Sequence, residues 1–141
     1  MLYKEAVAVW KEGEVFDATP DSGFTVRMDG AAKGGPSPME LVLVGLAGCT
    51  GVDVIDILRK KRQDVTRLEV RVHGDRSETH PRKYTNVEVN FVVIGHGVDP
   101  DAVRRSIELS ETKYCSVSAT LRDEVRLSTR FEVREAEPAV A

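Results

Sequence analysis

Cysteine is scarce in this chain, with two residues, Cys49 and Cys115, among 141. Two are too few for the disulfide framework of a small secreted domain. In a reducing compartment such a pair is redox-active, metal-binding or simply buried. Aromatic residues are also few: four Phe, three Tyr and one Trp. An excess of positive charge is missing, since 20 Lys and Arg face 23 Asp and Glu for a formal net charge of -3. That balance leaves no basic footprint for nucleic acid. Nowhere do about 18 uncharged apolar residues follow one another, as a membrane span requires. The opening Met1-Leu2-Tyr3-Lys4-Glu5 has charges where a signal peptide has an apolar run. The expectation is a soluble, cytoplasmic protein with neither nucleic acid nor membrane as partner. His73, His80 and His96 lack ligand-like spacing with each other or with either cysteine, so no metal is expected. Gly95-His96-Gly97 lacks the Lys-Ser/Thr ending and following helix of a phosphate loop.

What is present fits one domain over residues 1–141, with about 135–141 as a flexible tail. Ala6, Ala8 and Trp10 alternate along a first strand; Val15 to Ala18 and Phe24 to Met28 follow as short strands separated by turns at Glu12-Gly13 and Asp21-Ser22-Gly23. After the loop Gly30 to Pro36, Ser37 as N-cap, Pro38 in the first turn and Glu40 near the positive end open a helix running to about Arg62. Leu41 to Leu58 is apolar nearly all round, which predicts a helix buried on most sides. Two longer strands come next, Arg67 to Gly74 and Thr85 to Ile94, each alternating apolar with polar residues. Asp99-Pro100-Asp101 caps a second helix reaching Tyr114, and a short helical turn from Val117 to Leu121 precedes a last strand, Val125 to Val133. The order βββαββαβ predicts an α+β fold, antiparallel sheets wrapped around a long buried central helix and a shorter companion.

Gly45, Gly48 and Gly51 interrupt the central helix, each costing about 1 kcal/mol against alanine. Small residues three apart permit close approach of another backbone, so the stripe predicts a tight crossing with a second helix or a partner subunit. Cys49 lies beside that crossing. Asp53, one turn on, would raise the pKa of its thiol, and the helix start is too distant to lower it. Cys115 falls at the end of the helix best placed to cross the first. Two readings follow: small hydrophobes filling a crowded contact, or a thiol that attacks with a second that resolves.

The segments Pro36-Ser37-Pro38-Met39-Glu40-Leu41, Gly48-Cys49 and Tyr114-Cys115-Ser116-Val117-Ser118 resemble those of the OsmC/Ohr family of osmotically induced and organic hydroperoxide resistance proteins, on its OsmC-like side. The resemblance spans essentially the whole chain. It implies an intertwined homodimer with the two central helices in its middle and each site built from both subunits. It also implies thiol-dependent reduction of hydroperoxides, preferably organic, with Cys49 peroxidatic, Cys115 resolving, no resident cofactor, and an external dithiol as reductant. In the organic hydroperoxide branch a guanidinium and a carboxylate hold the thiolate and the peroxide. Arg27 and Lys11 are the candidates for the basic group and Glu40 for the carboxylate, although the family's glutamate directly follows the proline, where this chain has Met39. One position turns a side chain by about 100° around a helix. Trp10, Phe24, Met39 and Tyr114 are candidates to line an apolar substrate pocket. The competing function is a non-catalytic dimer of the same fold that binds a small apolar ligand between its subunits.

Overall fold

The computed structural model describes residues 2–138, which fall into two compact units, Met1–Val42 and Leu43–Ala141. The first holds an antiparallel meander, β1 (Ala6–Glu12), β2 (Val15–Pro20) and β3 (Val26–Asp29), in that spatial order. Trp10 pairs with Phe16 and Asp17 with Arg27. Asp29 closes β3 and shapes the following loop: its carboxylate accepts from the N–H groups of Ala31 (2.9 Å) and Gly34 (2.8 Å). These amides, Gly34 first, hold its carboxyl below the usual carboxylate range.

Helix α1 (Pro38–Lys60) begins where the sequence predicts. Ser37 Oγ accepts from the Glu40 N–H (3.2 Å) and the Glu40 carboxylate accepts from the Ser37 N–H (2.9 Å), so two otherwise unpaired amides are satisfied reciprocally. The expectation of burial on most sides is corrected. Leu46, Thr50, Val54 and Leu58, four residues apart, form the buried stripe, whereas Val44 and Val52 are 61% and 59% exposed. An added Cβ at Gly45 or Gly48 would meet nothing within 4 Å, so the chain itself does not use the gaps these glycines leave. By length and composition α1 could cross a membrane, a test that the core helix of a soluble protein also passes. Asp53 and Asp56 lie within it.

The second unit carries β4 (Asp64–Arg76), β5 (Tyr84–His96) and β6 (Arg126–Glu135), in that order. Phe91, Val87 and Val93 of β5 are essentially inaccessible and form the core with the α1 stripe and Val103 of α2 (Pro100–Leu109). Val87, Val89 and Phe91 are buried on one face, while Glu88 and Asn90 between them are only half-buried, as the alternation predicts. Gly95 is needed where β5 meets the start of β4, because a Cβ there would collide with the carbonyl oxygen of Asp64. The all-antiparallel expectation fails at β6, which pairs with β5 in parallel, Phe91 opposite Phe131. Between them run α2, a π-helical turn (Ser110–Tyr114) and α3 (Ser116–Leu121), the kind of long crossover a parallel pair requires. Glu135 and Ala136, expected to belong to a flexible tail, are instead held. The Ala136 N–H donates to Gly95 O, and the Glu135 carboxylate accepts from the Gly97 N–H at 3.0 Å. Residues 139–141 of the predicted tail lie outside the described residues.

Candidate functional site

The second unit brings Cys49 and Cys115 together. Cys49, half-buried in α1, lies close enough to the Cys115 thiol and to the backbone N–H groups of Val117 and Ser116 for each to influence its titration. Cys115 is 2% exposed and acts as N-cap of α3, its sulfur accepting from the Ser118 N–H at 3.4 Å. The first turn of α3 thus presents one amide to Cys115 and places two others near Cys49. Both cysteines are free thiols.

The thiol of Cys49 is pushed up from its ordinary pKa. Burial is the main cause and the amide of Val117 the main opposing influence; Cys115 adds to the rise and the Ser116 amide opposes it. The direction agrees with the expectation, but its cause does not. The Asp53 carboxylate is not among the main influences on Cys49 and instead accepts a 2.9 Å hydrogen bond from Ser110 Oγ.

Ser110 carries no signal in the sequence that marks it as part of the site. Its hydroxyl is fully buried and lies 2.8 Å from Thr50 Oγ1, while its carbonyl accepts the Cys115 N–H at 2.8 Å. That last bond spans five residues and makes the turn π-helical. Thr50 and Asp53 are one and four positions beyond Cys49, so Ser110 ties the segment bearing one cysteine to the helix bearing the other. Beside this network a cavity of about 260 Å³ is lined by Asp53, Asp56, Ile57, Lys60, Leu109 and Tyr114.

The other candidates have separate settings. Arg27 is held by Asp17 through two hydrogen bonds, 2.8 and 3.0 Å, across the β2–β3 pair, so its guanidinium is committed to a neighbouring carboxylate. Lys11 is exposed on β1 and lowers the Asp17 pKa weakly beside the dominant effect of Arg27. Glu40 caps α1, and this local role accounts for its carboxylate oxygen. Trp10 is 61% exposed and donates from Nε1 to Gly13 O at 2.9 Å. Phe24 is 79% exposed and Met39 half-buried. Tyr114 is half-exposed with the Lys113 ammonium 5.2 Å from its ring centre, and of the four substrate-pocket candidates it is the one adjoining Cys115 in sequence. Among the described residues no cluster of three or more His, Cys, Asp or Glu could hold a metal.

Two neighbouring free thiols beside the first turn of a short helix, in a protein with two three-stranded sheets and a long helix, define a class of two-cysteine α+β proteins. A family model for OsmC-like proteins matches residues 30–130, and the chain belongs to that family. It is 40% identical over 130 residues to Protein YhfA of Escherichia coli (strain K12), a match covering 92% of this chain and 97% of that protein. The crystal structure of a hypothetical protein from Aquifex aeolicus VF5 superimposes with a TM-score of 0.89 at 34% identity, covering 97% of this chain and all of the other. The Organic Hydroperoxide Resistance Protein OhrB of Bacillus subtilis shares the fold, with a TM-score of 0.62 at 18% identity over 93% of this chain and 98% of its own.

Proposed function

We propose that the protein is a cytoplasmic thiol-dependent peroxidase that reduces hydroperoxides, preferably organic ones, with Cys49 as attacking and Cys115 as resolving thiol. The proximity of the Cys49 and Cys115 thiols carries this reading. In the first step the Cys49 thiolate attacks one oxygen of ROOH; the O–O bond breaks, an S–O bond forms, and ROH leaves after taking a proton. Cys115 then displaces hydroxide from the sulfenic acid to give a disulfide and water. An external dithiol returns two electrons and two protons. The amides of Val117 and Ser116 would favour the thiolate of Cys49, and the family's organic hydroperoxide resistance proteins are the relatives whose names fit the chemistry.

The working state we infer is a homodimer closed over the exposed face of α1. Val44, Val52 and the open positions at Gly45 and Gly48 support it, as does an open, largely apolar groove of about 490 Å³ beside Gly48, Gly51, Ile55 and Leu68. The decisive experiment titrates the purified protein with cumene hydroperoxide and, separately, hydrogen peroxide while counting thiols. One equivalent of the organic peroxide should remove both thiols of a chain and yield the Cys49–Cys115 disulfide. If both thiols remain titratable after denaturation under excess peroxide, the reading fails and a non-catalytic dimer binding a small apolar ligand replaces it.

A further inference from the structure

We propose that Ser110, acting through Thr50 and Asp53, is a positioning residue that holds Cys115 against Cys49 and so sets the rate and stability of disulfide formation; this rests on the two-thiol reading above. The argument starts from the π-helical turn. A helix continuing regularly past Leu109 would bond the Cys115 N–H to the carbonyl four residues back, but here it reaches five back to Ser110 at 2.8 Å. One residue is thereby fed into the turn, and the chain swings from helix to extended at Cys115, where φ is -74° and ψ 104°. Such π turns are rare and occur mostly as single-turn features at functional sites, so the groups that fix this one bear on Cys115.

Ser110 supplies the anchor. Its hydroxyl proton goes to Asp53 Oδ2 at 2.9 Å, and its oxygen can accept the Thr50 hydroxyl at 2.8 Å, so both capacities of the hydroxyl are used in a fully buried place. Both partners are on α1 within four residues of Cys49. The hydroxyl thus fixes the π turn to the peroxidatic helix, and the carbonyl of the same residue fixes the backbone of the resolving cysteine. A bond to a charged acceptor is also stronger than a neutral one, which gives Asp53 a role other than acting on the thiol directly. Intramolecular thiol capture depends on orientation to within fractions of an ångström, so loosening this residue should reduce the effective concentration of Cys115 at Cys49.

The test compares Ser110→Ala, Asp53→Leu and Asp53→Asn with the wild type. The first removes both side-chain bonds, the second removes the charged acceptor, and the third keeps a carbonyl acceptor in its place. The disulfide equilibrium constant is read by gel shift in dithiothreitol redox buffers, which needs no peroxide. Ser110→Ala and Asp53→Leu should each lower it at least tenfold, about 30 mV for a two-electron couple, while Asp53→Asn should stay within threefold. Under organic hydroperoxide the first two should also give more sulfenic acid captured by a dimedone-type probe per disulfide formed. A fall of less than tenfold in Ser110→Ala, or equal losses in Asp53→Asn and Asp53→Leu, overturns the proposal. Should Ser110→Ala not fold, the two Asp53 variants decide by the same criterion. A wild type that forms the disulfide in redox buffer but not with peroxide removes the peroxidase reading and leaves this inference standing; one that forms it in neither removes both.

Discussion

Replacing Gly45 and Gly48 by alanine separates two accounts of the central helix by sign. In a lone chain an added methyl at either position meets nothing within 4 Å. Helix propensity then acts alone, and each Gly→Ala should stabilise by about 1 kcal/mol, an increase in Tm of about 3 °C per substitution for a domain of this size. In the proposed dimer the same methyls enter a seam packed to interior density. Overpacking costs about 1–3 kcal/mol per site, and each residue of an isologous seam occurs twice. One substitution therefore weakens the dimer by about 2–6 kcal/mol, which raises its dissociation constant from about 30-fold to more than 10⁴-fold. The helix gain applies to free and paired chains alike and cancels from that constant. Sedimentation of the wild type and the double variant across micromolar concentrations, with melting curves at each, reads both quantities. A double variant that sediments like a wild-type dimer with unchanged dissociation and a higher Tm refutes the close crossing, and so does a wild type that is monomeric throughout.

Three other outcomes are expected. Cys49→Ser should abolish peroxide consumption, while Cys115→Ser should permit one oxidation per chain and leave a sulfenic acid that a dimedone-type probe labels; equal effects of the two substitutions would contradict the assigned roles. Because burial raises the Cys49 thiol and only the thiolate is alkylated, the iodoacetamide rate of a Cys115→Ser variant should rise about tenfold per pH unit from pH 6 to 8, and a plateau below pH 7.5 would refute a raised thiol. Asp29 has its carboxyl held low by the amides of Gly34, Ala31 and Lys33. Its folded pKa lies below its unfolded one, so its contribution is complete above the unfolded pKa, about 3.9, and lost as pH falls through the folded value. Asp29→Asn should destabilise at pH 7, and thermal melts should show the gap to wild type closing on acidification; a constant gap would count against it.

The parts of the fold legible in the sequence are those fixed by neighbours along the chain. Ser37 and Glu40 three apart announce the α1 N-terminus, Asp99 caps α2 by accepting from the Asp101 N–H at 2.9 Å, and alternation at Leu68, Val70 and Val72 marks β4. The parallel pairing of β6 is not legible in its residues, because alternation has the same period in parallel and antiparallel strands; the length of the crossover after β5 holds that information. The apolar circumference of α1 predicts burial all round, yet the chain alone supplies one buried stripe. At the site, the two cysteines announce themselves by chemistry. Ser110 does not, since Ser110-Glu111-Thr112-Lys113-Tyr114 carries no breaker and its π turn depends on Asp53 and Thr50, 57 and 60 residues away. Arg27 invites a catalytic reading by residue type, and its partner Asp17 is what the structure adds.

The proximity of the thiols sets the two halves of the proposed cycle against each other. Cys115 helps to raise the Cys49 thiol and so reduces the thiolate available for the first attack. A less acidic thiol is, once ionised, the better nucleophile, with a Brønsted slope of about 0.4–0.5, so the lost thiolate is offset by roughly half. In the second half the same proximity acts in one direction only. A resolving thiol held beside the oxidised sulfur needs no diffusional encounter, and intramolecular effective concentrations can exceed about 10⁵ M when orientation is right. The arrangement therefore favours a peroxidase whose first step limits turnover and whose sulfenic acid is short-lived. Protection of Cys49 from further, irreversible oxidation follows from that short lifetime.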